Sequence, residues 1–313
     1  MRHLLTNCFP VLVLLSLPAW LAGCDSLRQE VDPSRLNREA SRLVVTSFLS
    51  PQDTVLAVKI SRSQPVLGEE ASYGTSGNSV PDATVTLSDG TKVVALTYNA
   101  RQAYYRADIG QLPIRAGRTY TLLVQTPDGE RAESSCTIPG PVALMSIVYD
   151  SLTENRFGQQ SRRYFARGLW VDPAGQANYY QVTGKYEFLV KGPNLLIPRQ
   201  MGLLSFNDEG NSLKTDQSVD GKEMVSNRAF MRGVYYSNTG QVANSNNQFQ
   251  ITSITMNLLS TDQAYYRYQD AVSRQAEVSG NPFAEPVPVP SNIRGGLGCF
   301  AGYNRSTLIL QLK

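Results

Sequence analysis

Between residues 43 and 138, apolar positions recur in short runs divided by turn-forming clusters, an arrangement that predicts the strands of a sandwich. Leu43 to Leu49 and Thr54 to Ile60 flank Ser50-Pro51-Gln52-Asp53. Ala83 to Leu87 alternates apolar and polar residues, then passes through Ser88-Asp89-Gly90 into Lys92 to Thr97. Thr119 to Thr126 turns at Pro127-Asp128-Gly129 into a strand ending near Ile138. The spacing suits an immunoglobulin-like or transthyretin-like β-sandwich over residues 43–138, with the Gly- and Ser-rich stretch Gly68 to Asn78 as a long loop.

Pro139-Gly140-Pro141 interrupts the pattern, because consecutive breakers do not continue a strand inside a sheet. Beyond it, Tyr164 to Val171, Asn178 to Val190, Ala229 to Tyr236 and Gln248 to Leu258 again read as strands, rich in aromatic and β-branched residues. A helix is predicted over residues 260–279, capped by Ser260 or Thr261 and stopped by Gly280-Asn281-Pro282. Its apolar stripe is Tyr265, Tyr268 and Val272. Thr307 to Leu312 alternates as a closing strand. The expected fold is therefore mainly β: a sandwich over 43–138, then a second β-rich domain over 142–313 carrying one α-helix and a C-terminal strand.

The first 23 residues form a different pattern. Arg2 precedes an apolar stretch from Val11 to Leu17, and the segment closes on Leu21-Ala22-Gly23-Cys24. This reads as a signal peptide over residues 1–23, too short for a permanent span. Its last four residues resemble the bacterial lipobox, which implies cleavage before Cys24 and lipidation of that cysteine. Residues 24–42, polar and without apolar periodicity, then read as a lipid-anchored tether. Of the remaining cysteines, Cys136 and Cys299 are open to two readings, a disulfide in an oxidising compartment or two buried thiols.

Composition narrows the chemistry. The 313 residues are 42% apolar and 18% charged with a formal charge of +3, which excludes a disordered chain and gives no reason to expect nucleic acid. The one histidine, His3, lies in the leader, so the processed chain is left without Ser-His-Asp or Cys-His catalysis and without histidine-ligated metal.

The segments Asn281-Pro282-Phe283, Glu285-Pro286-Val287, Ser291-Asn292-Ile293, Gly295-Gly296-Leu297-Gly298 and Phe300-Ala301-Gly302-Tyr303 resemble the closing signature of a family of Bacteroidota envelope lipoproteins described as domain of unknown function 4249. The Tyr-rich helix, Asp216 to Lys222, Asn178-Tyr179-Tyr180 and Ala83 to Gly90 are similar to it as well. The resemblance implies an outer-membrane lipoprotein, often encoded beside a TonB-dependent receptor. It implies no established reaction and no cofactor.

Three constellations invite a chemical reading. Gly296-Leu297-Gly298-Cys299-Phe300-Ala301 satisfies the dinucleotide fingerprint, but a Pro-rich segment precedes it and a strand follows. Close backbone packing or a bulge is the expected explanation. Asp208, Glu209, Asp216, Asp220 and Glu223 offer oxygen ligands for Ca²⁺ or a carboxylate pair for glycoside hydrolysis, but turn chemistry in hairpins explains them better. Arg162, Arg163 and Arg167 suit phosphates, an acidic partner or a solvated strand.

The chain has 16 tyrosines, with doublets at 104–105, 179–180, 235–236 and 265–266, and on a strand each doublet sends one ring inward and one outward. Tyr179, Tyr180, Tyr235 and Tyr236 are the candidate binding residues. The expected function is a non-enzymatic accessory protein, anchored at the outer membrane beside a TonB-dependent receptor in nutrient uptake. The alternative is a carboxylate-dependent glycoside hydrolase or a carbohydrate-binding adhesin.

Overall fold

The computed structural model describes residues 41–63, 78–156, 159–192, 195–206, 208–231, 249–278, 285 and 287–312. The leader, Cys24, the tether up to residue 40, most of the 68–78 loop, Tyr235 and Tyr236 lie outside the described residues.

Seven strands come from the predicted sandwich: β1 (Leu43–Leu49), β2 (Val55–Arg62), β3 (Thr84–Ser88), β4 (Val93–Asn99), β5 (Tyr104–Asp108), β6 (Thr119–Gln125) and β7 (Arg131–Thr137). In β1, Leu43, Val45, Ser47 and Leu49 are buried and the residues between them are not, the period of two that the sequence displays. At the β3–β4 turn the Asp89 carboxylate accepts the backbone N–H groups of Thr91 and Lys92. These bonds hold its pKa down at about 2.

Nine strands follow: β8 (Leu144–Arg156), β9 (Gln159–Val171), β10 (Tyr179–Gly192), β11 (Leu195–Ser205), β12 (Leu213–Thr215), β13 (Glu223–Val225), β14 (Ala229–Met231), β15 (Phe249–Thr261) and β16 (Leu297–Gln311). Between the last two lies the helix α1 (Gln263–Val278). The fold is mainly β, as the sequence predicts.

The hydrogen-bonded order runs β13-β9-β14-β11-β10-β15-β16-β1-β2-β5-β4-β3-β6-β7, with β8 beside β9 and β12 beside β10. One hydrophobic cluster gathers residues 43–138 together with Ile293 and Phe300. A second is built within residues 142–258, with Leu308, Leu310 and Leu312 packed against it. The two cores thus fall on either side of Pro139-Gly140-Pro141 in sequence, and β16 contributes to both.

The reach of β16 differs from the short closing strand expected from residue 307. Leu297 to Gly302 pair with β1 in parallel, and Tyr303 to Gln311 pair with β15 in antiparallel. The parallel half holds the glycine block, where φ is +110° at Gly298 and a Cβ would lie 2.1 Å from the Val45 carbonyl oxygen. Gly296 sits under the Leu43 carbonyl at 2.9 Å by the same measure. The block is a close backbone approach, not a phosphate loop. The join is tied by polar groups: Gln52 Nε2 donates to Asn304 Oδ1 at 2.9 Å, and Asn304 Nδ2 donates to the Pro139 carbonyl at 3.2 Å.

The helix also departs from expectation. Ser260 and Thr261 remain in β15, opposite Asn304 and Tyr303, so neither caps it. Asp262 is the cap, accepting the Tyr265 N–H at 2.8 Å. Tyr265 and Ala271 are the buried helix residues, and Val272 faces outward at 38% exposure. The stripe therefore follows Tyr265, Tyr268 and Ala271, which keeps the helix flat on Phe48, Leu259, Cys299 and Ala301.

Candidate functional site

The start of β10 gathers most of the groups that the sequence offers for chemistry. Tyr179 and Tyr180 point to opposite faces, as alternation requires. Tyr180 is 0% exposed and tilts against Trp170 with ring centroids 5.3 Å apart. It therefore faces the core and not a partner. Its hydroxyl donates to Asp172 Oδ1 at 2.5 Å, and the other Asp172 oxygen accepts the Gly221 N–H at 2.9 Å. Burial, the Asp172 bond and the neighbouring Asp216 charge push the Tyr180 phenol well above its ordinary range. Tyr179 is half-buried on the other side, its ring 5.2 Å from that of Tyr266 and its hydroxyl accepting from Gln263 Nε2 at 2.8 Å. Helix α1 thereby fixes a half-exposed aromatic pair at this end of the sheet.

Four of the five acidic residues that the sequence ran together divide into two groups. Asp216 and Asp220 meet Asp172, which the sequence presents only as part of a turn, with one oxygen from each within 4.8 Å of the others. The β9–β10 and β12–β13 turns bring them together. Asp216 Oδ2 accepts the Asn178 N–H at 2.8 Å, and Asp220 Oδ1 accepts the Gly175 N–H at 2.9 Å. Asp172 and Asp216 are 2% and 4% exposed.

A Ca²⁺ ion takes six to eight oxygens. The groups directed at these carboxylates are N–H and O–H donors, which makes the cluster a staple between two turns, not a cation cage. Nor does it suit sugar cleavage, since Asp220 alone of the three faces solvent and a sugar ring cannot pass between two buried acids. The buried Trp170 Nε1 lies beside the Tyr180 hydroxyl.

Asp208 and Glu209 belong elsewhere, in ion pairs with Arg163, Arg167 and Arg228. Glu223 is exposed at the start of β13.

A third feature is the groove between the first turn of α1 and the strap before β16. It encloses about 240 Å³ and is lined by Gln263, Ala264, Arg267, Ser291, Asn292 and Cys299, among others. Asn292 holds the strap by imitating a neighbouring strand: its Nδ2 donates to the Phe300 carbonyl at 2.7 Å and its Oδ1 accepts the Phe300 N–H at 3.0 Å. Cys136 and Cys299 are free and buried, so of the two readings the structure has the thiols. Burial and the nearby Asp262 push the Cys299 thiol up to about 12, far from the thiolate a nucleophile requires. No helix among the described residues is long and apolar enough to cross a membrane.

Sequence reasoning missed the role of Asp172 and the placement of Asp208 and Glu209, because both depend on strands that pair across tens of residues. The only signal available was the turn Asp172-Pro173-Ala174-Gly175, whose aspartate reads as local. Among curated proteins none matches the chain. The sequence matches the family described as Domain of unknown function (DUF4249) over residues 25–309. With nearly the whole of its length inside that match, and with the glycine block, the strap and the Tyr-rich helix now placed together around β16, the chain belongs to the DUF4249 family.

Proposed function

We propose that this protein is a lipid-anchored component of the cell envelope that binds a partner without turnover of its own, that partner being a TonB-dependent outer-membrane receptor in nutrient uptake. The observation that carries the reading is Leu21-Ala22-Gly23-Cys24 at the end of an apolar leader, directly upstream of a polar tether and the family match. Anchoring confines the search for a partner to two dimensions and raises its effective concentration. The site chemistry supports the same reading: the clustered aspartates hold backbone N–H groups, and Cys299 is held as a neutral thiol. The half-exposed ring of Tyr179, braced by Tyr266, is the part of the predicted tyrosine surface that an incoming partner can touch. Tyr235 and Tyr236 remain in the proposal on sequence grounds.

The test is affinity purification of the full-length protein from detergent-solubilised membranes of the native cell. A barrel protein enriched with wild type and lost with Cys24→Ala supports the reading. Hydrolysis of a glycan by the pure protein, abolished by Asp220→Asn, overturns it in favour of the glycosidase alternative.

A further inference from the structure

The outward face of β9 and β14 is roofed by cations. Along β9, Ala166, Gly168 and Trp170 are fully buried toward the core side, so Arg163, Phe165 and Arg167 share the opposite face. Phe230 of β14 lies across from Phe165, and Arg228 falls two residues before it on the same face. The Arg163 guanidinium sits 4.0 Å above the Phe230 ring, while Arg228 and Arg167 lie 5.0 Å and 5.8 Å from the centre of Phe165. The two rings are only 5% and 2% exposed although they face outward, because the guanidinium groups cover them.

The charges in this roof do not balance. Asp208 pairs with Arg163, and the single Glu209 carboxylate serves both Arg228 and Arg167, the latter at 4.0 Å. Lys214 reaches the same place from β12 and donates to the neutral Asn227 Oδ1 at 2.7 Å. Burial and the adjacent Arg167 charge lower its pKa, the response of an ammonium beside another cation. Among the described residues, Arg167, Arg228 and Lys214 thus meet one carboxylate, that of Glu209. The Nε atoms of both Arg167 and Arg228 are buried with no acceptor among the described residues, so neither is relieved by the chain's own groups.

We propose that this face, centred on Arg167, Arg228 and Lys214, docks an acidic peptide segment of a partner protein. The chain's own Asp208-Glu209 dipeptide already lies among these arginines, which identifies consecutive side-chain carboxylates as the chemistry that the cations accept. Guanidinium forks match planar carboxylates, and their stacking on Phe165 and Phe230 holds them in place before a partner arrives. The Lys214 ammonium extends that register by a further acid. The proposal rests on the partner-binding reading above and names the partner's chemistry. It fails separately, because peptide binding is measured without the receptor and receptor capture without the peptide.

The experiment is fluorescence anisotropy of a fluorescein-labelled hexapeptide of alternating Asp and Glu, titrated with the full-length protein in detergent micelles at low and at moderate salt. Saturable binding that weakens with salt is expected, with a hexapeptide of Asn and Gln remaining free. Arg167→Gln combined with Lys214→Gln is expected to weaken binding at least tenfold. Lys214→Gln alone, a milder change that removes one half-buried ammonium bonded to a neutral amide, is expected to weaken it about threefold. Equal binding by wild type and Lys214→Gln, or no binding by wild type, overturns the proposal. Complete displacement of the peptide by an equal concentration of inorganic phosphate overturns the peptide assignment and makes the face a phosphate site.

Discussion

Replacing Gly298 by alanine tests whether the parallel junction between β1 and β16 rests on backbone contact. At φ +110° an L-residue is strained, which costs about 1–3 kcal/mol. The added methyl would also lie 2.1 Å from the Val45 carbonyl oxygen and 2.9 Å from its carbon, so β1 must separate from β16 by roughly 1 Å at a paired position. Loss of the hydrogen bonds around that pair adds about 1–2 kcal/mol. The expected total is about 3–4 kcal/mol, a large share of the roughly 5–15 kcal/mol that stabilises an ordinary protein. At about 2–4 °C per kcal/mol for a body of this size, Tm should fall by about 10 °C. Gly90→Ala is the matched control: φ there is +88°, but nothing lies within 4 Å of the new methyl. Strain alone should lower its Tm by about 3 °C. Differential scanning fluorimetry of both variants decides the matter. Equal losses for the two would show that strain accounts for everything and that the close approach at Val45 contributes nothing.

Other consequences are open to direct measurement. Cys24→Ala should move the protein from the membrane to the soluble fraction, and intact mass spectrometry of membrane-extracted wild type should show acyl chains on Cys24. Tyr180→Phe removes the donor to Asp172 and leaves a buried carboxylate oxygen unpaired, so urea unfolding should report a loss of about 1–3 kcal/mol. Cys299 has its pKa raised to about 12 when folded and titrates lower when unfolded. Its contribution is therefore complete below the unfolded pKa near ~9 and disappears as pH rises toward 12, so thiol-specific labelling should be negligible in the native protein and alkaline pH should destabilise it. Asp89 should titrate near 2 by NMR, because three hydrogen bonds from Thr91 and Lys92 favour its charged form.

Much of the first half was legible because its strands are local. β1, β3, β4 and β6 lie within one or two residues of the runs that alternation marks, and Ser88-Asp89-Gly90 makes the expected turn. The second half was less so. The sequences of β8 and β11 mix polar and apolar residues on both faces, so their apolar pattern does not mark them, although burial alternates from Arg199 to Leu204. The helix cap was misplaced because Ser260 and Thr261, good caps in isolation, are held by pairing to Tyr180 and Tyr179 on one side and to β16 on the other. Pairing over that distance outweighs a local preference worth about 1 kcal/mol. Asp172 was hidden for the same reason, since the carboxylates it meets stand more than forty residues further along the chain. The glycine block was read correctly as close packing, although what it packs against, β1, lies some 250 residues upstream and no local pattern names it.

The shared strand also sets a timetable. β1 is the first strand of the described body and β16 the last, and the parallel ladder from Val44 to Leu49 is built entirely on residues 297–302. Phe300, from those same residues, is fully buried in the first core. A chain emerging amino end first can form the hairpins of β3 to β7 early, but it cannot close that core until its final strand arrives. For a chain exported as proposed above, this delay would have a use. The body would stay incompletely folded, and so able to thread, until nearly all of it had crossed, and both cores would then close around a single strand.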